Sequence, residues 1–378
     1  MNKKIFAAIV SVASLSAGSV FGVGPDSGGA GTQDHSFILD SGNSISITRG
    51  TSSPKITGAS PDGVTLTNPY APTNTTTIEA KWSYQGTNIG IRLSNPYAID
   101  LTYADGALTN TAAKITSSET AIVASRALSS NLKLFGGLRL NQFKASLTKP
   151  FLNPADLTKG YIFDLNSGTN SGFSIGAAYE IPEIYLRASV QLNTEIKHGK
   201  ATITETYNGA ATESTQTDLI APSSTIIKLR SAITPKIIGF ANWRSSQYKK
   251  LVITGPVHSA NPGLNQGHIY DPESGTDLTL GVAIVLSDNI TAILGTARGQ
   301  ATATGGLESA LAPFKGSSAN FIGGSLKIAD NVELNASYSL ATFGDAQAGV
   351  PLTTGGLGAA DFKDNKGSRI SIGTKISF

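Results

Sequence analysis

The 378-residue sequence has no cysteine, a single methionine and two tryptophans. Without cysteine there is no disulfide framework and no thiolate metal site, so an exported chain of this size must rely on backbone pairing and packing. Charge is sparse as well: Asp, Glu, Lys and Arg make up 15% of the residues, with a formal excess of +3. That excess falls further once Lys3 and Lys4 are set aside, and no basic stripe remains to meet phosphates, which excludes nucleic acid as a partner. Long hydrophobic runs are missing too. The one apolar run, residues 5–15, is too short to span a bilayer and could at most be an N-terminal anchor. Between Met1-Asn-Lys-Lys4 and the small residues leading to Gly22 it has the three parts of a secretory signal peptide. Cleavage is expected after Gly22, with an earlier site open near Ser16 and Gly18. His35, His198, His258 and His268 are scattered, and none stands at metal-ligand spacing. No metal or other cofactor is expected.

Alternation is what the sequence does have. In the last twelve residues Ile370, Ile372, Thr374, Ile376 and Phe378 share one parity, while Arg369, Ser371, Gly373, Lys375 and Ser377 share the other. Period-two alternation marks a strand with one apolar and one polar face. A strand ending the chain on an aromatic residue has an open edge unless it pairs with the first strand and closes a ring.

The rest of the chain fits such a ring. Strands are expected at 43–57, 75–84, 89–100, 119–127, 132–148, 171–180, 184–203, 223–233, 236–253, 276–286, 290–302, 317–328, 332–343 and 367–378. Short turns rich in Gly, Asn, Asp and Pro, such as those at 85–88, 128–131 and 287–289, alternate with long connections at 58–74, 101–118, 149–170, 204–222, 254–275, 303–316 and 344–366. An up-and-down membrane barrel demands this alternation, and about fourteen strands is an even number within its range. A Greek-key sandwich gives no reason for it. Faces agree: Leu132, Leu134, Leu138 and Leu140 oppose Lys133, Phe135 and Arg139, and Leu186, Val190 and Leu192 oppose Arg187, Gln191 and Asn193. Aliphatic residues outside and polar ones inside suit lipid around a wet lumen. Arg298 breaks the rule by sharing parity with Leu294, which calls for a bulge there or a position above the lipid.

Chemistry-bearing residues are few. A lipid hydrolase would need Ser, His and an orienting group on neighbouring strands, and His198 near Ser189 is the one candidate pair. The run Gly355-Gly-Leu-Gly358 lacks the strand-to-helix setting of a phosphate loop. Two stretches do stand out. Ser94-Asn95-Pro96-Tyr97 puts a proline inside a strand, either a bulge near the rim or a gap in the wall. The connection from Lys149 to Phe163 carries Phe151, Leu152, Leu157, Tyr161, Ile162 and Phe163, unusually apolar for a loop. It either packs on its neighbours or offers an apolar docking surface.

The chain resembles the FadL-like outer-membrane transporters of long-chain fatty acids and other hydrophobic compounds. The resemblance runs from about residue 34 to the end. It rests on Asp40-Ser-Gly-Asn-Ser-Ile-Ser-Ile-Thr48, Pro54-Lys-Ile-Thr-Gly58, Phe135-Gly-Gly-Leu-Arg139, Ile175-Gly-Ala-Ala-Tyr-Glu180, Phe240-Ala-Asn-Trp-Arg244 and Asp361-Phe-Lys-Asp-Asn365, in that order. In that family the segment before the first strand plugs the lumen. Residues 23–42 would do so here, although they are fewer than usual and lack the Asn-Pro-Ala signature. The resemblance also implies that the third strand opens the wall sideways at Ser94, Asn95, Pro96 and Tyr97, and that the third long loop forms an outer apolar groove with Phe151, Leu152, Leu157 and Phe163. Bases that bind a carboxylate in the lumen would be Arg139, Arg187, Lys228 and Arg230, chosen by strand parity.

The expectation is therefore a signal peptide at 1–22, a short plug at 23–42 and an all-β transmembrane antiparallel barrel at 43–378. It would act as a monomer in the outer membrane, passing a fatty acid-like or other hydrophobic ligand without energy or covalent chemistry. Its other partners would be outer-membrane lipid and, through the C-terminal strand, the barrel assembly machinery. The alternatives are a water-filled porin for small polar solutes and a barrel enzyme acting on lipid.

Overall fold

The computed structural model describes residues 33–149, 160–216, 218–260, 269–270, 272, 274–301, 308–351 and 357–378. The signal-peptide expectation and the first part of the expected plug lie outside them. Fourteen wall strands form one antiparallel barrel. They are β1 (Ser44–Lys55), β2 (Thr73–Tyr84), β3 (Thr87–Ser94, resuming as Ala98–Thr102), β4 (Ala112–Ala127), β5 (Leu132–Lys149), β6 (Tyr161–Ile181) and β7 (Leu186–Asn193). The other seven are β8 (Ser224–Thr234), β9 (Ile237–Ser246), β10 (Gly275–Val285), β11 (Ile290–Ala301), β12 (Ser317–Ala329), β13 (Val332–Phe343) and β14 (Lys366–Ser377). The ring closes as the alternation requires, β14 pairing with β1 from Ser377–Ser44 to Lys366–Lys55. Short turns and long connections alternate around it, putting both ends of the wall sheet and the short turns at one rim.

Lipid-facing residues are apolar because nothing in hydrocarbon can solvate a polar group. Ile372, Phe173 and Ile175 are all about 60% exposed. On the inner face sit Lys81, Arg92, Glu119, Arg139, Gln191 and Asn335, all buried. Three luminal phenylalanines lie over glycines directly opposite on the next strand: Phe135 on Gly176, Phe240 on Gly281 and Phe321 on Gly295. A Cβ on any of these glycines would come within 2.4 Å of the ring.

The wall outlasts the lipid. On β5 the outward residues change from Leu138 and Leu140 to Gln142, Lys144, Ser146 and Thr148, while Phe143 and Leu147 turn inward and are buried. On β6, Phe173 and Ile175 point out, but Tyr161, Phe163 and Leu165 are buried inside. Above the membrane the solvent is water, so polar side chains face out and apolar ones fill the mouth. This inversion explains two departures from the expected strands. β4 starts at Ala112 instead of 119, and β6 starts at Tyr161 instead of 171, because apolar inward residues above the lipid read as loop. Tyr161–Asn166 pairs with a small outer strand, Ala201–Tyr207, which itself pairs with Ala210–Gln216. The expected strands 184–203 and 236–253 are thus shorter in the wall, ending at Asn193 and Ser246. The expected loop 344–366 contains a hairpin of Ala346–Pro351 against Leu357–Phe362. Arg298 stands opposite Leu278 in an unbroken ladder near the outer end of β11, so no bulge accounts for its outward parity.

Candidate functional site: a plugged lumen beside a broken strand

Residues 33–42 thread the lumen. Ser36–Leu39 make one 3-10 turn, and Phe37, Ile38 and Leu39 pack on Ala121, Val123, Phe135 and Ala178 of the wall. A segment this short cannot satisfy its own backbone, so the barrel does it. The carbonyl of Gln33 accepts from Gln191 at 2.7 Å and Asn193 at 3.1 Å. That of Ile38 accepts from Asn88 at 2.7 Å and Ser125 at 3.0 Å. That of Leu39 accepts from Arg187 at 3.0 Å. Arg92 donates to the carbonyl of Asp34. Ion pairs fix both ends: Asp34 with Lys228 at 2.6 Å, and Asp40 with Arg187 at 2.8 Å and with Lys375 at 3.9 Å. Burial pushes the Asp34 carboxyl up, but Lys228 and Arg92 more than offset it and hold the group below the usual range. Asp40 is lowered in the same way, burial being outweighed by Arg187 and Lys375. His35 is fully buried, its backbone N–H donating to Gln191 at 2.8 Å and its Nδ1 facing Ser174 at 3.0 Å. Burial, reinforced by the Arg92 charge, lowers its pKa to about 3, so the ring is neutral.

Beside the plug the wall is interrupted. The β2–β3 ladder runs up to Ile78–Leu93, and the next pairing is the bridge of Tyr70 with Leu101. Among the described residues no register pair joins β2 to β3 between those points. Asn74–Thr77 have their partners on β1, the other side. On the β4 side the ladder steps from Ser94–Glu119 to Ala98–Thr116, so Asn95, Pro96 and Tyr97 stand against Ser117 and Ser118. This is a bulge with one extra residue. Pro96 cannot donate to a ladder. Ser117 stabilises the detour: its carbonyl accepts from Asn95 at 2.9 Å and its hydroxyl accepts from the Tyr97 N–H at 2.9 Å. Tyr97 turns inward, fully buried, with its ring 6.1 Å from that of Phe143. The break is level with the outer edge of the lipid-facing band, since Ser94, Glu119 and Asn141 share one row across β3, β4 and β5.

The sequence-selected residues fall into three groups. Ser94, Asn95, Pro96 and Tyr97 form the break. Arg139, Arg187 and Lys228 gather around the plug, each bound to a protein carboxylate. Arg139 grips Glu119 at 3.1 and 2.8 Å and donates to the Thr194 carbonyl at 3.0 Å. Arg187 also binds Glu180 at 2.6 Å. Arg230 stands opposite Arg187 and lines a cavity of about 140 Å³ below the plug, with Leu39, Lys133, Glu180 and Tyr185. Phe163 lies on β6 instead of in a loop, buried in the apolar interior above the plug. Phe151, Leu152 and Leu157 lie outside the described residues. Sequence reasoning passed over Gln33, His35, Glu119 and Asn141. Their inward parity was readable for the last two, but nothing marked which inward residues would meet the plug. It also missed Glu205, buried at the outer mouth, where it accepts from the Tyr161 hydroxyl at 2.7 Å and from the backbone of Val257 and His258 at 2.9 Å each. His198 takes its hydrogen-bond contact from Asn170 at 3.0 Å, which gives it a partner other than Ser189.

No family model matches the sequence, and no curated protein matches it. Solved structures do. A FadL homologue of Pseudomonas aeruginosa superposes with a TM-score of 0.72 at 12% identity, over 97% of this chain and 96% of that one. The toluene transporter TbuX of Ralstonia pickettii gives 0.65 at 12% identity, over 96% of each chain. The toluene transporter TodX of P. putida gives 0.62 at 12% identity, over 90% and 91%. The chain therefore takes the fold of the FadL homologue and the two toluene transporters, and the resemblance read from its sequence holds at the level of architecture.

Proposed function

We propose that this barrel carries hydrophobic small molecules passively across an outer membrane and releases them sideways between β2 and β3. The observation that carries the reading is the missing stretch of ladder between Ile78–Leu93 and Tyr70–Leu101. Hydrocarbon cannot satisfy broken backbone pairs, so such a gap is tolerated only where it lines a cavity or finds internal partners. The plug closes the straight path, and the interior above it is apolar, with Tyr97, Phe143, Phe163 and Tyr161 fully buried there. A molecule that prefers this interior to water would leave most readily through the side. The toluene transporters among the similar structures support the same cargo class.

In this reading Phe151, Leu152 and Leu157 capture cargo outside, Phe163 belongs to the apolar interior, and Ser94, Asn95, Pro96 and Tyr97 form the exit. Arg187 and Lys228 hold the plug, so a carboxylate cargo would have to compete with Asp40 and Asp34 for them. Arg139 would likewise have to release Glu119. The chain works as a monomer in contact with outer-membrane lipid, and the assembly machinery engages β14.

Replacing Ser94-Asn95-Pro96 by Thr-Val-Thr restores donors and β-formers and lets the ladder run through. The variant is expected to fold as a heat-modifiable band and to bind apolar ligand, with transport several-fold slower than the parent. Parental transport by the folded variant would reject the lateral route.

A further inference from the structure

One luminal row crosses the wall where β3 breaks. Ser94 faces Glu119, Glu119 faces Asn141, and Asn141 faces Asn170. Directly opposed residues stand about 5 Å apart, so Asn141 adjoins Glu119. The plug adjoins the row as well, because Gln33 donates to Glu119 at 3.0 Å and to the Tyr97 hydroxyl at 3.3 Å. Phe143, the next inward residue above Asn141, packs on Tyr97. Charge at this level is settled by the paired Glu119 and Arg139, both almost wholly buried.

Asn141 is different. It is completely buried, and among the described residues neither its amide nitrogen nor its carbonyl oxygen has a hydrogen-bond partner. The side-chain oxygen of Gln33 is buried without one too. A buried amide in this state destabilises the fold, whereas a leucine of similar size would not. Two acceptors and a donor are therefore held beside an apolar wall formed by Tyr97 and Phe143, at the break itself.

The geometry points to a recognition site in which Asn141 and Gln33 bind a neutral hydrogen-bonding group, a hydroxyl or primary amide, on an otherwise apolar cargo. The inference rests on the transport reading above and narrows its substrate class. A hydroxyl can donate to one amide oxygen while accepting from the Asn141 amide. A carboxylate can only accept; it would leave two oxygens facing it unpaired and would lie near the Glu119 charge. A bare hydrocarbon would leave all three groups unmet. Sites built to hydrogen-bond a ligand group discriminate strongly against analogues that lack it.

The test compares uptake of 1-octanol, n-octane and octanoate into proteoliposomes, corrected for empty vesicles, by the parent and by Asn141→Leu. The parent is expected to favour octanol over both analogues by about tenfold, the scale of one or two net hydrogen bonds. Asn141→Leu should lose the preference for octanol over octane, and Asn141→Ser, which keeps a hydroxyl, should retain part of it. Preference unchanged in both folded variants would mean that water alone satisfies the amide, and octanoate favoured by the parent would mean an anion site; either result overturns the inference. Uptake of none of the three by the parent strikes the transport reading itself, and this inference with it.

Discussion

At the scale of single residues, the plug is held by groups whose protonation states matter. His35 is buried against Arg92 with a pKa of about 3, whereas a solvated imidazole titrates near 6.5. A displaced plug therefore binds a proton more readily than a seated one. The His35 contribution to seating is complete above the solvated value and is lost as pH falls from there toward 3. The lowered carboxyls of Asp34 and Asp40 act in the same direction but later, because their contribution fades only as pH drops below the ordinary carboxylate value of 3.8. Protease accessibility or hydrogen exchange of residues 33–42 should thus rise in two stages on acidification. His35→Gln should remove the first stage and leave the second. A single transition unchanged by that substitution would show that His35 does not sense the proton. Breaking one buried ion pair is harsher: Asp40→Ala leaves Arg187 with less compensation, a loss on the order of 3–5 kcal/mol for a fully buried pair and less for this partly exposed one. The same accessibility measurement at neutral pH should report it.

At the scale of elements, the wall shows how tightly neighbouring strands constrain each other. Gly281 sits beneath the Phe240 ring, and a Cβ there would come 2.4 Å from the ring and 2.7 Å from the Leu294 carbonyl. Gly281→Val should displace the ring or part the β10–β11 ladder, lowering the temperature at which the folded band disappears, with a penalty of about 1–3 kcal/mol. An unchanged transition temperature would mean that the wall relaxes freely around the added methyls. Elements were also where sequence reading succeeded and failed. Leu186, Val190 and Leu192 against Arg187, Gln191 and Asn193 made β7 legible, because lipid outside enforces strict alternation. Tyr161, Phe163 and Leu165 were not legible as wall, since above the lipid the same alternation reverses its meaning. Pro96 was legible as a break because proline has no ladder donor, yet the missing β2–β3 pairs depend on where Thr73–Tyr84 sits, which no local pattern encodes. Asn141 had the right parity but no neighbour in sequence to signal its isolation. Arg187 and Lys228 were found as inward cations, while their partners Asp40 and Asp34 lie well over a hundred residues away, beyond any spacing rule.

At the scale of the whole molecule, the plug and the lumen are charge complements. With the plug seated, Asp34 and Asp40 face Lys228 and Arg187, and Lys81 and Arg92 point at plug carbonyls. Among the described residues Glu79 is a wall partner of Arg92, and Glu180 of Arg187 and Lys133, while the polar partners of Lys81 and Lys228 are plug groups. A chain lacking residues 33–42 should therefore have a wider lumen with a surplus of positive charge, in which a low-dielectric wall strengthens attraction for anions. If the barrel carries apolar molecules past a seated plug, as proposed, the parent should show little steady current in a planar bilayer. The deletion should conduct steadily and favour chloride over potassium. Raising salt should weaken that selectivity, because screening shortens the reach of the exposed charges. If the deletion stays as tight as the parent, the apolar outer mouth around Phe163 and Tyr161 forms the seal and the plug does not. A parent that already passes large ion-selective currents would instead favour the porin alternative, since it would reveal a water path past a plug held by three ion pairs and many backbone contacts.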